Sequence, residues 1–187
     1  MTRLVLIRHG QPDYSFVTER KFIGRGLDFG QLTDAGVEQA NAVSSDPRLS
    51  SAEFIVASPY TRALQTAAII SKNTGLEIKI ETDLHEWSPD TTQQYSGSEY
   101  VDSSFAECMA FKGERSPDAK YNWESLSSVA KRAIECLYKY ENSKKIIVIA
   151  HGMVMRQFVY AEYIPYCGIL ETDFDRDFKW GGFVEAP

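Results

Sequence analysis

The chain has 187 residues, of which 43% are hydrophobic and 25% are charged, and its formal net charge is −6. This length suits a single domain that buries its own core, and the negative charge argues against nucleic acid or an anionic membrane as the main partner. The first apolar run covers residues 4–7 and is too short for a signal sequence or a membrane span, so we expect a cytoplasmic protein.

Strand-like and helix-like patterns alternate along the chain. In chain order they predict a strand at 4–7, a helix starting at 33–40, a strand at 53–57, a helix at 58–73, a strand at 77–80, a helix at 123–140, a strand at 145–150 and a helix at 153–160. The runs at 4–7, 53–57 and 145–150 are continuously apolar, which is typical of strands that are covered on both faces. Ser58 and Pro59 suit the start of the second helix, and Gly75 suits its end.

Two segments depart from this alternation. Residues 87–122 are rich in Ser, Asp, Tyr and Gly, with a short helical pattern at 99–111, and we expect an excursion that covers the active site. Residues 167–172 and 178–184 flank a polar turn and predict an edge hairpin. The whole pattern predicts one α/β domain over residues 1–187, with a mostly parallel central sheet and helices on both faces.

Three predicted strands end in residues that suit chemistry better than a simple turn. These residues are Arg8, His9 and Gly10 after the first strand, Ser58 and the nearby Arg62 after the second, and His151 and Gly152 after the strand at 145–150. Sites in open α/β sheets form beyond the carboxyl ends of strands. Arginine recognises phosphate with several donors, and amides at a helix start add to that recognition. The pattern therefore predicts an anion pocket, with phosphate as its most natural ligand.

Two other interpretations of the histidines compete with a phosphate pocket. A lone histidine after a strand is most often a capping or packing residue, but two His-Gly pairs after two buried strands weaken that interpretation. A zinc site made of His9, His85 and His151 lacks local ligand spacing, and the neighbouring arginines would repel the cation. The cysteines lack paired spacing too, which favours buried free thiols over disulfides or metal ligands; they are Cys108, Cys136 and Cys167. We expect no metal and no other cofactor.

Four short motifs occur in order along the chain and carry a family resemblance. They are RHG at 8–10, GR at 24–25 followed by QLTxxGxxQA at 31–40, SPxxRAxxTA at 58–67, and AHG at 150–152; a looser fifth is LHEW at 84–87. Together they resemble the histidine phosphatase superfamily, the phosphoglycerate-mutase-like enzymes. The likeness extends from residue 3 to about 160 and is weakest across residues 87–122.

The resemblance implies a catalytic role for five matched residues. His9 would be the nucleophile, forming a phosphohistidine intermediate. Arg8, Arg62 and His151 would hold the non-bridging oxygens and stabilise the transition state. Glu86 would protonate the leaving alcohol and then deprotonate the attacking water. A nucleophilic imidazole must be neutral, and the residues agree with this requirement, because nearby arginines disfavour the protonated form of His9.

The substrate-binding positions match the family less closely. Ser15 stands where the family usually has an asparagine that touches phosphate, and Gln11 stands where glutamate is common. Gly24 and Gly152 lie in matched motifs and are predicted to contact substrate. Trp87 follows Glu86 where the mutases carry an arginine, and it is predicted to line the leaving-group pocket.

The residues around Glu86 favour a phosphomonoesterase over a mutase. Residues 81–111 contain no Lys or Arg but seven carboxylates: Glu81, Asp83, Glu86, Asp90, Glu99, Asp102 and Glu107. Such an acidic wall would repel polyanions and favour a small phosphomonoester with a neutral, apolar or cationic alcohol. A phosphoglycerate-mutase-type transferase and a non-catalytic phosphate-recognising protein remain alternatives. The pattern does not predict the oligomeric state.

Overall fold

A five-stranded sheet forms the centre of the fold. The computed structural model describes residues 1–182, and within them the strands are β1 (Thr2–Arg8), β2 (Pro12–Asp13), β3 (Gln31–Leu32), β4 (Ile55–Ala57), β5 (Ile78–Ile80), β6 (Lys145–Ala150) and β7 (Ile169–Phe174). The central sheet has the order β5-β4-β6-β1-β7, while β2 and β3 form a separate ribbon. In the central sheet β7 is antiparallel to β1, and the other neighbours are parallel. The prediction of a mostly parallel α/β sheet is confirmed.

Helices follow the strands in the predicted alternation. They are α1 (Ser15–Glu19), α2 (Asp34–Val43), α3 (Thr61–Thr74), α4 (Gly97–Ala110), α5 (Leu126–Leu137) and α6 (Gly152–Arg156). Short 3₁₀ turns, such as Thr82–Leu84 and Tyr138–Tyr140, complete the regular structure. Among residues 1–182, no helix combines the length and the apolar character needed to cross a bilayer.

The sheet is covered on both faces, which explains why its strands are continuously apolar. In β1, Leu4 and Leu6 belong to a core that includes residues of α5 and α6. Val5 and Ile7 belong to a second core, with residues of α3 on the opposite face. All four β1 side chains are fully buried. Removing this much apolar surface from water supplies the main favourable free energy of folding.

The ends of two helices differ from the sequence expectation. The prediction that Ser58 caps α3 is wrong, because α3 begins at Thr61 and the residue before it is Tyr60. The Ser58 hydroxyl lies 2.7 Å from His151 Nε2 and accepts a 3.4 Å hydrogen bond from the Tyr60 amide, which precedes the helix. The stop at Gly75 is confirmed by its left-handed backbone, with φ 76°. The helix predicted from residue 123 begins only at Leu126, and its cap is Ser125, whose hydroxyl accepts a hydrogen bond from the Ser128 amide.

The C-terminal hairpin is not present in the described residues. The first predicted strand corresponds to β7, which pairs with β1 and forms one edge of the sheet. Residues 178–182 form no strand, while Phe183 and Val184 lie outside the described part of the chain. The last predicted helix is also shorter than expected, because α6 ends at Arg156.

Two glycines hold the turn after β1 against the start of α2. A Cβ atom on Gly10 would lie 2.5 Å from the carbonyl oxygen of Gly36, closer than any side chain tolerates. A Cβ atom on Gly36 would in turn collide with the carbonyl oxygen of Gln11. The missing side chains let the backbone of residues 10–11 lie directly on α2, which fixes the position of the preceding His9.

Candidate active site

The parallel strands bring three of the predicted site residues to one edge of the sheet. Because β1, β6 and β4 are neighbours in register, the residues that follow them, His9, His151 and Ser58, come together. The two imidazole centroids are 5.1 Å apart. Arg62 reaches the same place from the first turn of α3. The prediction that these strand ends converge is confirmed by this geometry.

His9 is buried in an orientation that leaves one ring nitrogen available as a base or nucleophile. Its side chain is 4% exposed, and Nδ1 lies 2.7 Å from the carbonyl oxygen of Gly10. A carbonyl only accepts, so Nδ1 carries the hydrogen and Nε2 carries a lone pair. Consistent with this tautomer, Nε2 accepts a hydrogen bond from Arg62 Nε at 3.3 Å.

The surroundings of His9 hold its imidazole in the neutral form. Burial is the largest cause, and the positive charges of Arg62 and Arg8 act in the same direction, so the pKa of His9 falls to about 3. The hydrogen bond to Gly10 opposes this shift only partly. His151 is fully buried, and burial together with Arg62 lowers its pKa well below the ordinary value. Both imidazoles are therefore uncharged near neutral pH.

Arg62 lies between His9 and the half-buried carboxylate of Asp28. Its guanidinium is within 3.6 Å of Asp28 Oδ1 and lies over the ring of Tyr60, with 5.0 Å to the ring centroid. Burial raises the pKa of Asp28 to about 6, while Arg62 opposes that rise. Asp28 falls between the motifs at 24–25 and 31–40, and neither motif carries a signal for it.

Arg8 is held by the chain that precedes β7. Its Nη1 donates a 2.6 Å hydrogen bond to the carbonyl of Ile164, and its guanidinium lies 4.3 Å from the centroid of the Tyr166 ring. Tyr166 is also close to His9, with 5.8 Å between ring centroids. These contacts come from the far end of the chain, so local sequence patterns carried no signal for them.

Three buried polar atoms of this cluster have no hydrogen-bond partner within residues 1–182. They are Arg8 Nε, Arg62 Nη1 and His151 Nδ1. Ser58 can donate to His151 Nε2, which would place the hydrogen of that imidazole on Nδ1. Buried polar atoms are normally satisfied, so donors of one cluster that lack a hydrogen bond suit an oxyanion ligand. In the same described range, no group of three or more His, Cys, Asp or Glu side chains could hold a metal ion.

Glu86 is half-buried and lies in space beside the start of α6. One carboxylate oxygen accepts a hydrogen bond from the Trp87 amide at 2.8 Å, and the other accepts one from the Met153 amide at 3.3 Å. Its neighbour His85 stacks on Tyr60, 6.0 Å between centroids, and does not line the pocket. The carboxylate therefore faces the pocket that Arg62 enters, and the imidazole of His85 does not.

A pocket of about 490 Å³ opens beside Arg62 and Glu86. Its wall includes Trp87, whose indole donates a 2.6 Å hydrogen bond to the carbonyl of Glu124 and is thereby held in place. Residues of α4 form another part of the wall, on the face that carries Val101 and Phe105. The size is typical of a small-molecule site.

Of the predicted catalytic residues, Arg62 and Glu86 line this pocket, while Arg8, His9 and His151 lie outside its lining.

Three predicted substrate contacts also lie outside the lining, and their own contacts give them other roles. Ser15 is exposed, and its amide and hydroxyl donate to the two carboxylate oxygens of Asp13 at 2.8 and 3.0 Å, so its polar groups are used in a local turn. Gly24 has φ 51°, and its amide donates to the Tyr95 carbonyl, which gives it a packing role against residues 93–95. Gly152 is buried behind the cluster, with a Cβ position 3.9 Å from Arg8 Nε. Tyr14, beside Ser15, lines the pocket and lies 5.8 Å from the Arg62 guanidinium.

The predicted acidic wall is wrong in its extent. Of its seven carboxylates, Glu86 and Asp102 line the pocket. Glu81 is paired with Lys139 at 2.6 Å, and Glu107 accepts a hydrogen bond from the indole of Trp123. The sequence segment contains no cation, but the fold supplies partners from other segments.

Known proteins resemble this chain in sequence and in fold. The family model described as "Histidine phosphatase superfamily (branch 1)" matches residues 4–165. A Bacillus subtilis protein named "Uncharacterized phosphatase PhoE" is 30% identical over 81% of this chain and 72% of its own length. An Enterobacter protein named "Probable phosphoglycerate mutase GpmB" is 27% identical over 83% of this chain and 72% of its own length. The solved structure of Bacillus stearothermophilus YhfR superposes with a TM-score of 0.70 at 21% identity, covering 97% of this chain and 96% of its own.

The depressed pKa of His9 predicts a specific dependence of stability on pH. The unfolded imidazole titrates near 6.5 and the folded one at about 3, so the unfolded state binds more protons between these values. Stability from this group is therefore fully present above about pH 6.5 and is lost as pH falls, by up to about 1.4 kcal/mol per unit. Urea unfolding should show a shallower acid loss for His9→Gln than for the wild type. A proton NMR titration midpoint for His9 near 6.5 would contradict the assignment.

Proposed function

The chain belongs to the histidine phosphatase superfamily, and we propose that it is a metal-independent phosphomonoesterase with His9 as its nucleophile. One observation carries the proposal: a buried, neutral imidazole presents a lone pair on Nε2 beside the guanidinium of Arg62. A phosphorus atom placed against Nε2 would have its oxygens among the unpaired donors of Arg8, Arg62 and His151. Since these groups already supply positive field and hydrogen bonds, the chemistry needs no metal ion.

The first step transfers the phosphoryl group to the enzyme. The lone pair of His9 Nε2 forms a bond to phosphorus while the ester P–O bond breaks on the opposite side. The leaving oxygen receives the proton of a protonated Glu86 and departs as an alcohol. The hydrogen bond from Nδ1 to Gly10 holds the ring in the required tautomer and orientation during this attack.

The second step returns the enzyme to its starting state. The Glu86 carboxylate takes a proton from water, the resulting oxygen forms a bond to phosphorus, and the N–P bond breaks with its electron pair returning to Nε2. Inorganic phosphate leaves, and Glu86 holds the proton needed for the next cycle. The amide hydrogen bonds from Trp87 and Met153 position this carboxylate at the pocket wall.

The pocket favours a phosphatase over a mutase. A mutase must bind a substrate that keeps a second anionic group, but among the described residues Arg62 is the one cationic side chain that lines the pocket. That cation is already committed to the phosphoryl group. The mutase alternative is retained because one curated relative carries a mutase name, and phosphoglycerate mutase turnover would reveal it.

The nucleophile assignment makes a direct prediction. His9→Ala should abolish p-nitrophenyl phosphate turnover in EDTA, because the group that forms the covalent bond is gone, while circular dichroism stays unchanged. Rapid quench and mass spectrometry of the wild type should find acid-labile phosphate on His9. His85→Ala, which removes the one histidine outside the cluster, should keep the label. Label on another residue, or turnover that requires added metal, would refute the proposal, whereas binding without turnover would favour a non-catalytic phosphate-recognising protein.

The role of Glu86 predicts a dependence on the leaving group. A general acid matters most when the leaving group is poor, so Glu86→Gln should slow phosphohistidine formation from alkyl phosphates about a hundredfold. Formation from p-nitrophenyl phosphate should change little, since nitrophenolate leaves without a proton. Single-turnover quench flow separates this step from the later hydrolysis. Equal slowing of both substrates would show that the acid is another group.

A further inference from the structure

The leaving-group side of the pocket carries an excess of negative charge. Three carboxylates line it: Asp28, Glu86 and Asp102. Asp28 comes from a 3₁₀ turn, Glu86 from the loop after Leu84, and Asp102 from the exposed middle of α4. Arg25 contacts the hydroxyl of Tyr60 at 3.4 Å, and its positive charge opposes the rise in the pKa of Asp28, but it lies outside the lining.

A bound phosphoryl group would leave this excess without a cationic partner among the described residues that line the pocket. Its two negative charges would be balanced by Arg8 and Arg62, which are the cations beside His9. Engaging Arg62 with phosphate would weaken its 3.6 Å pairing with Asp28. If Glu86 enters the reaction protonated, Asp28 and Asp102 remain as two negative charges facing the leaving group.

The same wall presents aromatic faces that suit a cation. Aromatic residues form much of the lining: Tyr14, Tyr60, Trp87, Tyr95 and Phe105. Two of these rings already accept a cation, because the Arg62 guanidinium lies 5.0 Å from the centroid of Tyr60 and 5.8 Å from that of Tyr14. Carboxylates and aromatic faces around one cavity are the combination that recognises ammonium groups.

We propose that the leaving group carries a positive charge, and that the substrate class is the phosphate monoesters of amino and quaternary-ammonium alcohols. The proposal rests on the proposed phosphatase function and deepens it. The ammonium group would lie between Asp102, Asp28 and the aromatic wall, while the phosphoryl group lies against His9.

Three substrates of similar size test the charge preference. 2-Aminoethyl phosphate, propyl phosphate and phosphoglycolate carry a cationic, a neutral and an anionic leaving group. We expect kcat/KM to fall in that order, with about tenfold between the first two. Asp102→Asn should reduce the cationic-to-neutral ratio about two- to fivefold. Glu99→Gln is the matched control, because Glu99 is exposed on the same helix but does not line the pocket.

The outcomes separate this inference from the function on which it rests. Hydrolysis of p-nitrophenyl and propyl phosphate with no cation preference would overturn the substrate class alone. If Asp102→Asn and Glu99→Gln lower the cationic-to-neutral ratio equally, the preference comes from the net charge of the protein. That result would overturn the proposed contact between Asp102 and the ammonium group. Absence of any phosphate ester hydrolysis would overturn the phosphatase function itself.

A second and independent observation concerns the loop that carries Glu86. Arg132, on α5, is 13% exposed and makes a two-point ion pair with Glu124, at 2.8 and 2.9 Å. The same guanidinium donates to the backbone carbonyls of Asp83, His85 and Glu86, at 2.6, 2.7 and 3.2 Å. One cation therefore ties three carbonyls of this loop to the rigid face of a helix.

Glu124 extends this attachment to the residue after Glu86. Its backbone carbonyl accepts the indole hydrogen bond of Trp87, and its carboxylate lies 3.4 Å from the Ser88 amide. We infer that Arg132 and Glu124 are positioning residues that hold the Glu86 carboxylate at the pocket. This inference rests on the proposed role of Glu86.

The leaving-group dependence tests this positioning role. Arg132→Met should slow phosphohistidine formation from propyl phosphate about tenfold or more, with little change for p-nitrophenyl phosphate. In Glu86→Gln the same substitution should add little further loss, because the positioned group is already inactive. Arg132→Lys should restore part of the rate, and Lys131→Met, an exposed neighbour on the same helix, is the control. Glu124→Gln should also slow propyl phosphate more than p-nitrophenyl phosphate, but by a smaller factor. It replaces Arg132→Met in the test if that variant does not fold.

Each result decides between positioning and simple structural support. Equal slowing of both substrates, or additive losses in the double variant, would overturn the positioning role. If Glu86→Gln selectively slows propyl phosphate while Arg132→Met and Glu124→Gln do not, the positioning role is overturned too. If Glu86→Gln slows propyl and p-nitrophenyl phosphate equally, both the positioning role and the role of Glu86 as the acid are overturned.

Discussion

Two guanidinium groups and two imidazoles share one region at the carboxyl edge of the sheet. The rest of the structure depends on keeping the imidazoles neutral beside the charged guanidinium groups. Burying four cations together would be prohibitive. The imidazoles therefore stay neutral, as the lowered pKa of His9 and of His151 indicates, while Arg8 and Arg62 are held by the Ile164 carbonyl and by Asp28. The result is a region of positive charge that contains two uncharged imidazoles.

The sheet makes this arrangement possible because both of its faces are buried. Helix α3 covers one face and α5 with α6 covers the other, so the strands are fixed and their ends have defined positions. The close contact between Gly10 and Gly36 extends that rigidity one turn beyond β1. Rigid support is what a site needs to hold unpaired donors in place, since a mobile segment would turn them towards water.

The pocket beside Arg62 and Glu86 is built on a different principle. Its wall comes from the β1–α1 connection, the turn that carries Asp28, the loop after Leu84, and α4. Of these segments, the loop after Leu84 is linked to α5 through the Arg132–Glu124 pair, whose guanidinium donates to the backbone carbonyls of the loop. Under the proposed function, phosphate would therefore be bound at the sheet edge, and the alcohol would be selected by the segments attached to the sheet.

The sequence by itself determined the α/β class, the main strands and the convergence of His9, Arg62 and His151, because continuous apolar runs and residues at strand ends are local signals. It did not determine the start of α3, where the hydroxyl of Ser58 pairs with His151 instead of capping the helix. Nor did it reveal Asp28, or separate the carboxylates that line the pocket from those paired elsewhere, such as Glu81 with Lys139. Only the tertiary structure decided these points, because the partner of a polar side chain is set by which distant segments the fold brings beside it.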